Sequence, residues 1–227
     1  MAFDTGFVFS RIPEMHFGAG KLVQLPALLR ARGEQVLLIT GAASFRRSAY
    51  FSLLERGLAD AGIRYDIEAV NGEPSPDFVD AIVAQYRRRC PDWVVGIGGG
   101  SVLDAGKAVA AMLPQEGSVF PYLECVDSLK HDGRKVPFIA VPTSSGTGSE
   151  ATKNAVLSQI GGDGYKSSLR HDNFVPDVAL IDPELMLGCP PDVTAACGLD
   201  TLTQLLEAYV STKASPMSDA LALSGLE

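Results

Sequence analysis

The feature that most constrains the fold of this chain is a repeated alternation between short apolar runs and longer amphipathic segments. The apolar runs predict buried strands at residues 36–40, 65–70, 93–97 and 136–141. The segments between them have the apolar spacing of helices that pack on one side, and they cover residues 49–61, 76–90 and 101–113. Strands and helices that alternate in this way form a parallel sheet covered by helices.

Weaker patterns flank this alternating region. Residues 7–9 and 15–17 predict an edge strand or hairpin, and residues 21–32 predict an amphipathic helix. Short strands are predicted at residues 154–160 and 177–181, and helices at residues 190–212 and from about Pro216. We therefore expect an α/β protein with a parallel Rossmann-like sheet flanked by helices, followed by the first helices of an all-α domain. The expected domains are residues 1–185 and 186–227.

Charge and composition argue against several functional classes. The net charge of −8 and the isoelectric point near 4.9 disfavour nucleic acid and anionic membranes as partners. No apolar run reaches the roughly 20 residues of a transmembrane helix. The chain also lacks a basic start followed by an apolar core, so we expect a soluble, cytoplasmic protein. Its four cysteines lack CxxC spacing and neighbouring histidines, which indicates reduced thiols rather than a zinc site or disulfides.

A glycine turn follows the apolar run at residues 93–97. Gly98, Gly99 and Gly100 interrupt the strand, and Ser101 is predicted to open the next helix. Glycines let a phosphate approach the backbone, and the free N–H groups and dipole of a helix N-terminus favour an anion. The alternative is a tight turn in which Ser101 caps the helix and Asp104 completes a capping box. The turn matches neither the full GxGxxG fingerprint nor a P-loop.

A second polar loop follows the strand at residues 136–141. Five hydroxyl side chains lie close together in it: Thr143, Ser144, Ser145, Thr147 and Ser149. By itself this pattern is also typical of a solvated loop. The carboxyl ends of parallel strands lie at the same edge of a sheet, however, so we expect this loop to approach the glycine turn. Two convergent polar loops indicate a phosphate or ribose site.

Asp200 and Gln204 share one face of the predicted helix at residues 190–212 because they are four residues apart. Asp200 could be half of a metal site. The alternative is a surface aspartate with a glutamine on the same stripe. The only histidines are His16, His131 and His171, and none are paired at helical spacing.

Four segments, in this order, resemble the iron-containing (group III) alcohol dehydrogenases. They are GGGSVLDAGK at residues 98–107, VPTSSGTGSEAT at 141–152, PDVALIDPEL at 176–185 and GLDTLTQLLEAYVS at 198–211. The resemblance covers nearly the whole chain. It implies an N-terminal domain that binds NAD or NADP and a helical domain that binds a divalent metal.

The resemblance also assigns residues to the cofactor. The pyrophosphate is expected on the glycine turn, at Gly98, Gly99, Gly100, Ser101 and on to Asp104. The loop that lines the nicotinamide side corresponds to Thr143, Ser144, Thr147 and Thr152. A cofactor-contacting lysine of the family corresponds to Lys166.

The resemblance favours NADP over NAD at one position. Members that prefer NAD carry an aspartate after the second strand, where it holds the adenosine ribose hydroxyls, and this chain has Gly41 there. The missing carboxylate removes repulsion against a 2′-phosphate. Ser44, Arg46 and Arg47 lie nearby in the sequence and are candidates to bind that phosphate. A double preference is the alternative.

The metal site departs from the family pattern. The family binds Fe²⁺ or another divalent metal through an aspartate, a histidine four residues later and two further histidines. Asp200 matches the first ligand, but Gln204 replaces the first histidine, and an amide oxygen is a poorer ligand than imidazole. The later histidines are not in this sequence, so we expect the cofactor half of a two-domain enzyme.

The resemblance implies hydride transfer between nicotinamide and a small alcohol or aldehyde, with the metal polarising the substrate oxygen. A truncated nucleotide-binding module without turnover is one alternative, and a dehydroquinate synthase or glycerol dehydrogenase type of enzyme is another. A homodimer is expected, in which residues 7–9 pair with a partner's sheet edge. The apolar side of the helix at residues 190–212 is expected to promote self-association or local disorder if left uncovered.

Overall fold

The computed structural model describes residues 6–162 and 164–227. A six-stranded sheet contains β1 (Glu14–Phe17), β2 (Gln35–Gly41), β3 (Arg64–Val70), β4 (Trp93–Gly98), β5 (Phe138–Pro142) and β8 (Val178–Ile181). The strands lie in the order β1-β8-β5-β4-β2-β3, and every neighbouring pair is parallel. The predicted α/β fold with a parallel sheet is confirmed.

Helices connect and follow these strands: α1 (Leu25–Arg30), α2 (Ala49–Asp60), α3 (Pro76–Tyr86), α4 (Gly100–Met112), α5 (Pro191–Val210) and α6 (Pro216–Leu226). The predicted helix over residues 21–32 is instead a 3₁₀ turn at Lys21–Gln24 followed by α1. Pro26 lies in the first turn of α1 and has no N–H to bond the carbonyl four residues before it. An α-helix therefore begins near this proline rather than running through it.

The sheet separates two apolar clusters. Leu37 and Ile39 of β2 face the cluster that contains the buried side chains of α3 and α4, while Leu38 faces the cluster of α1 and α2. This alternation follows from the two-residue period of a strand. Every residue of β4 and β5 is buried, and both strands are accordingly continuous apolar runs rather than alternating ones.

A separate antiparallel hairpin joins β6 (Asn154–Gln159) to β7 (Tyr165–Arg170). The strand β7 is absent from the sequence predictions because only Ser167 and Leu169 of its six residues are buried, which leaves a weak apolar signal. Ala155, Leu157 and Leu169 belong to the same apolar cluster as α4. The hairpin therefore packs over the helix that follows the glycine turn.

Two predictions near the termini are answered by the structure. Residues 7–9 do not form a strand, and Phe7, Val8 and Phe9 are exposed. One edge of the sheet is formed by β1, which pairs with β8. In α5 no described residue is buried, and its apolar side is open, with Leu199 65% exposed and Val210 74% exposed.

None of the helices in the described parts of the chain is both long and apolar enough to cross a membrane.

Candidate dinucleotide site

The glycine turn and the hydroxyl-rich loop meet at the carboxyl edge of the sheet. They follow the adjacent parallel strands β4 and β5, in which Gly98 lies opposite Pro142. The backbone N–H of Thr143 donates a hydrogen bond of 3.0 Å to the carbonyl of Gly98, which joins the two loops directly. The approach of these loops, predicted from the parallel sheet, is present in the structure.

The glycines of the turn are required by close neighbours. A Cβ atom on Gly100 would lie 2.6 Å from Cγ2 of Thr147, and one on Gly98 would lie 2.5 Å from Cγ2 of Val102. A Cβ atom on Gly99 would lie 3.2 Å from Oγ of Ser144. The loop at residues 143–149 thus lies directly against the bare backbone at the start of α4. This is the kind of cradle in which a phosphate can approach main-chain N–H groups.

The helix α4 begins earlier than predicted, and its start is not a capping box. Gly99 is the N-cap residue and contributes no side-chain cap. The Ser101 hydroxyl donates to Oε1 of Glu73 at 2.9 Å, and the Asp104 carboxylate accepts from other residues, described below. The capping interpretation of Ser101 and Asp104 is therefore wrong. The N–H groups of Val102 and Leu103 donate to the carbonyl of Gly99, and those of Gly100 and Ser101 precede the first of these bonds.

Two cavities flank the point where the loops meet. One of about 370 Å³ contains seven predicted cofactor residues in its lining: Gly100, Ser101, Asp104, Ser144, Thr147, Thr152 and Lys166. The other, of about 350 Å³, contains the predicted residues Ser44, Gly99, Thr143 and Ser144 in its lining. Ser144 lines both cavities, so they form two neighbouring compartments along one edge of the sheet. Gly41 ends β2 at this edge but lines neither cavity.

The carboxylate of Glu73, which the sequence did not indicate as a site residue, contacts two of the predicted cofactor residues, Ser101 and Lys166. Glu73 lies in the turn between β3 and α3, and its Oε1 accepts from Ser101. Its Oε2 lies 3.4 Å from Nζ of Lys166 and accepts from the Ser158 hydroxyl at 3.5 Å. Lys166, on β7, is thereby brought to the start of α4.

Lys107 is a second residue whose role the sequence analysis missed. Its side chain is fully buried, and Nζ donates to the carbonyls of Ser149 and Asn154 at 2.8 and 2.7 Å. It also donates to the hydroxyls of Ser149 and Thr152, each at 3.1 Å. The signal that could have found it is a lone lysine in an otherwise apolar helix, because a buried charge needs a full set of partners.

Asp104 lies one helical turn before Lys107 and holds the same segment. Its Oδ1 accepts from the Ser149 hydroxyl at 2.5 Å, and its Oδ2 accepts from the backbone N–H of Val156 at 3.1 Å. The Lys107 ammonium lies 3.8 Å from Oδ1 of Asp104. Asp104 and Lys107 together fasten the end of the hydroxyl-rich loop and the start of β6 to α4.

Burial shifts the ionisation of these groups. It lowers the pKa of Lys107 from 10.5 to about 8, although the carboxylates of Asp104 and Glu150 oppose the shift. Burial raises the pKa of Asp104, against the charge of Lys107 and the hydrogen bonds from Ser149 and Val156. It also raises the pKa of Glu150. At neutral pH Lys107 remains an ammonium, and its charge lies behind the cavity that Asp104 and Thr152 line.

This arrangement matches a known family. The family described as iron-containing alcohol dehydrogenase matches the chain over residues 13–183. The chain belongs to this family. The match agrees with the resemblance and favours it over a dehydroquinate synthase or glycerol dehydrogenase type of enzyme.

Individual relatives agree with this assignment. Long-chain-alcohol dehydrogenase 1 of Geobacillus thermodenitrificans is 38% identical over 224 residues, which cover 94% of this chain and 54% of that protein. The NADPH-dependent butanol dehydrogenase of Clostridium saccharobutylicum is 33% identical, with the same shares covered. The crystal structure of NADH-dependent butanol dehydrogenase A from Thermotoga maritima gives a TM-score of 0.86 at 25% identity, covering 97% of this chain and 55% of its own. The chain spans about half the length of the curated relatives it matches.

The residues that this iron-containing alcohol dehydrogenase family member offers to a metal are few. Asp200 and Gln204 lie on α5 and are exposed, and the Gln204 amide donates to the carbonyl of Gly146 at 3.3 Å. Within residues 6–162 and 164–227, no cluster of three or more histidine, cysteine, aspartate or glutamate side chains could hold a metal ion. These described residues do not by themselves fit a metal centre, and no catalytic step through a metal follows from them.

The three histidines of the chain belong to other parts of the fold than α5, which carries Asp200 and Gln204. His16 belongs to the edge strand β1. His131 and His171 lie with ring centroids 6.2 Å apart, and both contact Phe174. The structure has Cys90, Cys125, Cys189 and Cys197 as free thiols, and Cys197 of α5 lines the larger of the two cavities.

Proposed function

We propose that this chain is the dinucleotide-binding half of an NAD(P)-dependent alcohol dehydrogenase or aldehyde reductase. The observation that carries the proposal is the pair of cavities that meet at Ser144 beside the bare backbone of Gly99 and Gly100. An extended two-part ligand with a central diphosphate fits two compartments joined at a helix N-terminus. The name of a relative that is NADPH-dependent and that of one that is NADH-dependent support the same cofactor class.

Each predicted cofactor residue has a distinct task in this proposal. The backbone at Gly98, Gly99, Gly100 and Ser101 holds the pyrophosphate. Thr143, Ser144, Thr147 and Thr152 offer hydroxyls to the cofactor, and Lys166 supplies a cation. Asp104 acts indirectly, because its carboxylate is occupied by Ser149 and Val156. When bound, the nicotinamide accepts or delivers the hydride that converts a small alcohol and its aldehyde.

We propose NADP as the preferred cofactor. Gly41 ends β2 without a carboxylate, Ser44 lines the smaller cavity, and Arg46 and Arg47 lie on the exposed 3₁₀ turn that follows. Burial of Phe45 anchors this turn, which begins four residues after the end of β2. A 2′-phosphate would meet cations here rather than the carboxylate that an NAD site offers to ribose hydroxyls.

Fluorescence titration of the chain with NADPH and with NADH tests both parts of this proposal. We expect both cofactors to bind, NADPH more tightly. Gly41→Asp should weaken NADPH by about tenfold, or about 1.4 kcal/mol, through charge repulsion. Gly41→Asn is the matched control, since it adds similar bulk without the charge. If neither NADPH nor NADH binds, the proposal is ruled out. If Gly41→Asp and Gly41→Asn lose the same affinity for NADPH, only the NADP assignment is ruled out.

A binding module without turnover is the second candidate. It is favoured by Asp200, which belongs to no group of three or more histidine, cysteine, aspartate or glutamate side chains that could hold a metal ion among the described residues. This candidate predicts NADPH binding without hydride transfer to butanal when Fe²⁺ is added. Steady oxidation of NADPH by the chain at a rate that depends on the aldehyde would exclude it.

We further propose a cytoplasmic homodimer with the two expected domains, residues 1–185 and 186–227. Phe7, Val8 and Phe9 expose 48%, 97% and 48% of their surfaces and line a cavity of about 960 Å³ with residues 211–216, 218 and 219. A second copy that pairs with residues 7–9 would cover these side chains. Sedimentation equilibrium of the chain and of Val8→Asp tests this, since the variant should be less dimeric. An unchanged mass would contradict it.

A further inference from the structure

The charge of Lys107 is held where no solvent reaches it. Four acceptors surround its Nζ atom within 3.1 Å, although an ammonium has only three N–H donors. The acceptors belong to Ser149, Thr152 and Asn154. These residues lie in the segment 149–154, which runs from the end of the hydroxyl-rich loop to the start of β6. Lys107 therefore fixes the path of this segment rather than the position of one residue.

The contact with Lys107 determines what the Thr152 hydroxyl can do. Its oxygen accepts from Lys107 at 3.1 Å, so its own proton must be donated elsewhere. Among the described residues, its acceptor is the carbonyl of Ser149 at 3.5 Å, at the outer limit of a hydrogen bond. That carbonyl already accepts from Lys107 at 2.8 Å. Thr152 lines the larger cavity, so its proton is available to a ligand there.

We propose that Lys107 is a positioning residue for the dinucleotide, which fixes the Thr152 hydroxyl as a hydrogen-bond donor directed into the cofactor cavity. This inference rests on the proposed function, because it concerns the same site. Lys107 does not line the cavity itself, and it acts through Thr152 and the segment that carries it. It differs in this from Lys166, which lines the cavity directly.

Two carboxylates face Lys107, and a third acts on one of them. Asp104 faces it from α4, and Glu150 faces it from the 3₁₀ turn Ser149–Ala151. Glu73, from the turn before α3, acts on Asp104 rather than on Lys107 directly. Loss of a proton would turn Lys107 into an amine whose lone pair can accept the Thr152 proton, so binding through the Thr152 donor is linked to proton retention by Lys107. Cofactor affinity should therefore be constant at neutral pH and fall as the pH rises past about 8, by up to about tenfold per pH unit.

The experiment measures the Kd of NADPH by fluorescence titration from neutral pH to above the lysine's pKa, using the full chain. Thr152→Val is isosteric but cannot accept from Lys107 or donate to a ligand. We expect it to weaken binding by about fivefold to tenfold at neutral pH, as for the loss of one ordinary hydrogen bond. We also expect its Kd to be nearly independent of pH. Thr152→Ser should restore both the affinity and the pH dependence.

Three further variants separate positioning from folding. Thr203→Val, on the exposed side of α5, is the matched control and should reproduce the wild-type profile. Lys107→Met should lose affinity and pH dependence, and adding Thr152→Val to it should cause no further loss. Near-ultraviolet circular dichroism shows whether each variant is folded. If Lys107→Met does not fold, the comparison of Thr152→Val with Thr152→Ser decides the matter.

The outcomes distinguish this inference from the proposed function. Wild-type chain that binds NADPH with the same Kd throughout the pH range would overturn the role of Lys107 and leave the function standing. Thr152→Val with wild-type affinity, or with a weaker affinity but an undiminished pH dependence, would do the same. Failure of the wild-type chain to bind NADPH or NADH at any pH would overturn the function, and this inference with it.

Discussion

Gly100 is the residue at which the two loops of the site approach most closely. A methyl group there would lie 2.6 Å from Cγ2 and 2.9 Å from Oγ1 of Thr147. The first turn of α4 cannot yield without disturbing buried residues such as Val102 and Leu103. The side chain of Thr147, and with it the hydroxyl-rich loop, must move instead.

We therefore expect Gly100→Ala to weaken NADPH binding by about tenfold or more, corresponding to about 1–3 kcal/mol of steric cost. The Kd from fluorescence titration is the measurement. Gly198→Ala is the matched control, because it also lies in a helix and has no atom within 4 Å of the added Cβ. Equal affinities of Gly100→Ala and the wild type would contradict the close contact.

Asp182 is a buried carboxylate with a structural task. Its oxygens accept from the backbone N–H groups of Gly20, Leu22 and Glu184 at 3.1, 3.0 and 3.1 Å. It thereby ties the end of β8 to the chain that leaves β1. The resemblance placed this aspartate within a family motif, and the structure supplies the physical reason for a carboxylate.

Asp182→Asn should lower the free energy of unfolding by about 1–3 kcal/mol, since the new amide N–H₂ would face a buried N–H donor that loses its acceptor. Urea denaturation followed by circular dichroism measures this. The exposed Asp192→Asn is the control and should change stability little. A loss no larger than that of the control would contradict the assigned role.

At the scale of elements, the contact that matters most is between α5 and the hydroxyl-rich loop. A Cβ atom on Gly146 would lie 3.0 Å from Cα of Cys197, so the loop backbone and the helix backbone are nearly in contact. The Gln204 amide bonds the same glycine. This seam positions Cys197 at the larger cavity.

Gly146→Ala should push α5 away from the loop, because one of the two clashing groups is backbone and cannot rotate aside. We expect the seam to open at a cost about 1 kcal/mol lower, so the Cys197 thiol should react about fivefold faster with a soluble maleimide. Peptide mapping by mass spectrometry gives the rate for this thiol separately from the others. Gly198→Ala should leave the rate unchanged, and an unchanged rate in Gly146→Ala would contradict the seam.

At the scale of the whole molecule, the α/β body is well covered while α5 and α6 are open. Leu199, Val210 and Leu221 expose 65%, 74% and 58% of their surfaces. Apolar area of this kind favours association. We expect the 227-residue chain to associate beyond a dimer as its concentration rises.

Sedimentation velocity at several concentrations measures this association. The double variant Leu199→Gln/Val210→Gln should shift the distribution towards smaller species, because both side chains are exposed and lose apolar area without losing buried contacts. Val8→Asp, which addresses the proposed dimer contact instead, should leave the larger species in place. A distribution that does not change with concentration would contradict the prediction.

Much of the fold follows from the sequence because its causes are local or nearly so. The buried strands β4 and β5 are continuous apolar runs. Because strands and helices alternate along the chain, the strands are parallel, and the glycine turn and the Thr143 loop lie at one edge of the sheet. That edge is fixed once the strands are parallel, so the meeting of the two loops could be predicted without knowing any side-chain position.

What only the tertiary structure decided depends on residues far apart in the chain. The strand β7 has a weak pattern of its own and exists because it pairs with β6 and packs on α4. Ser101 and Asp104 have the spacing of a capping box, but Glu73 and Ser149 offer them better partners once the chain has folded. The buried ammonium of Lys107 is tolerated for the same reason, since its acceptors come from a segment more than 40 residues later, and sequence spacing carries no record of that contact.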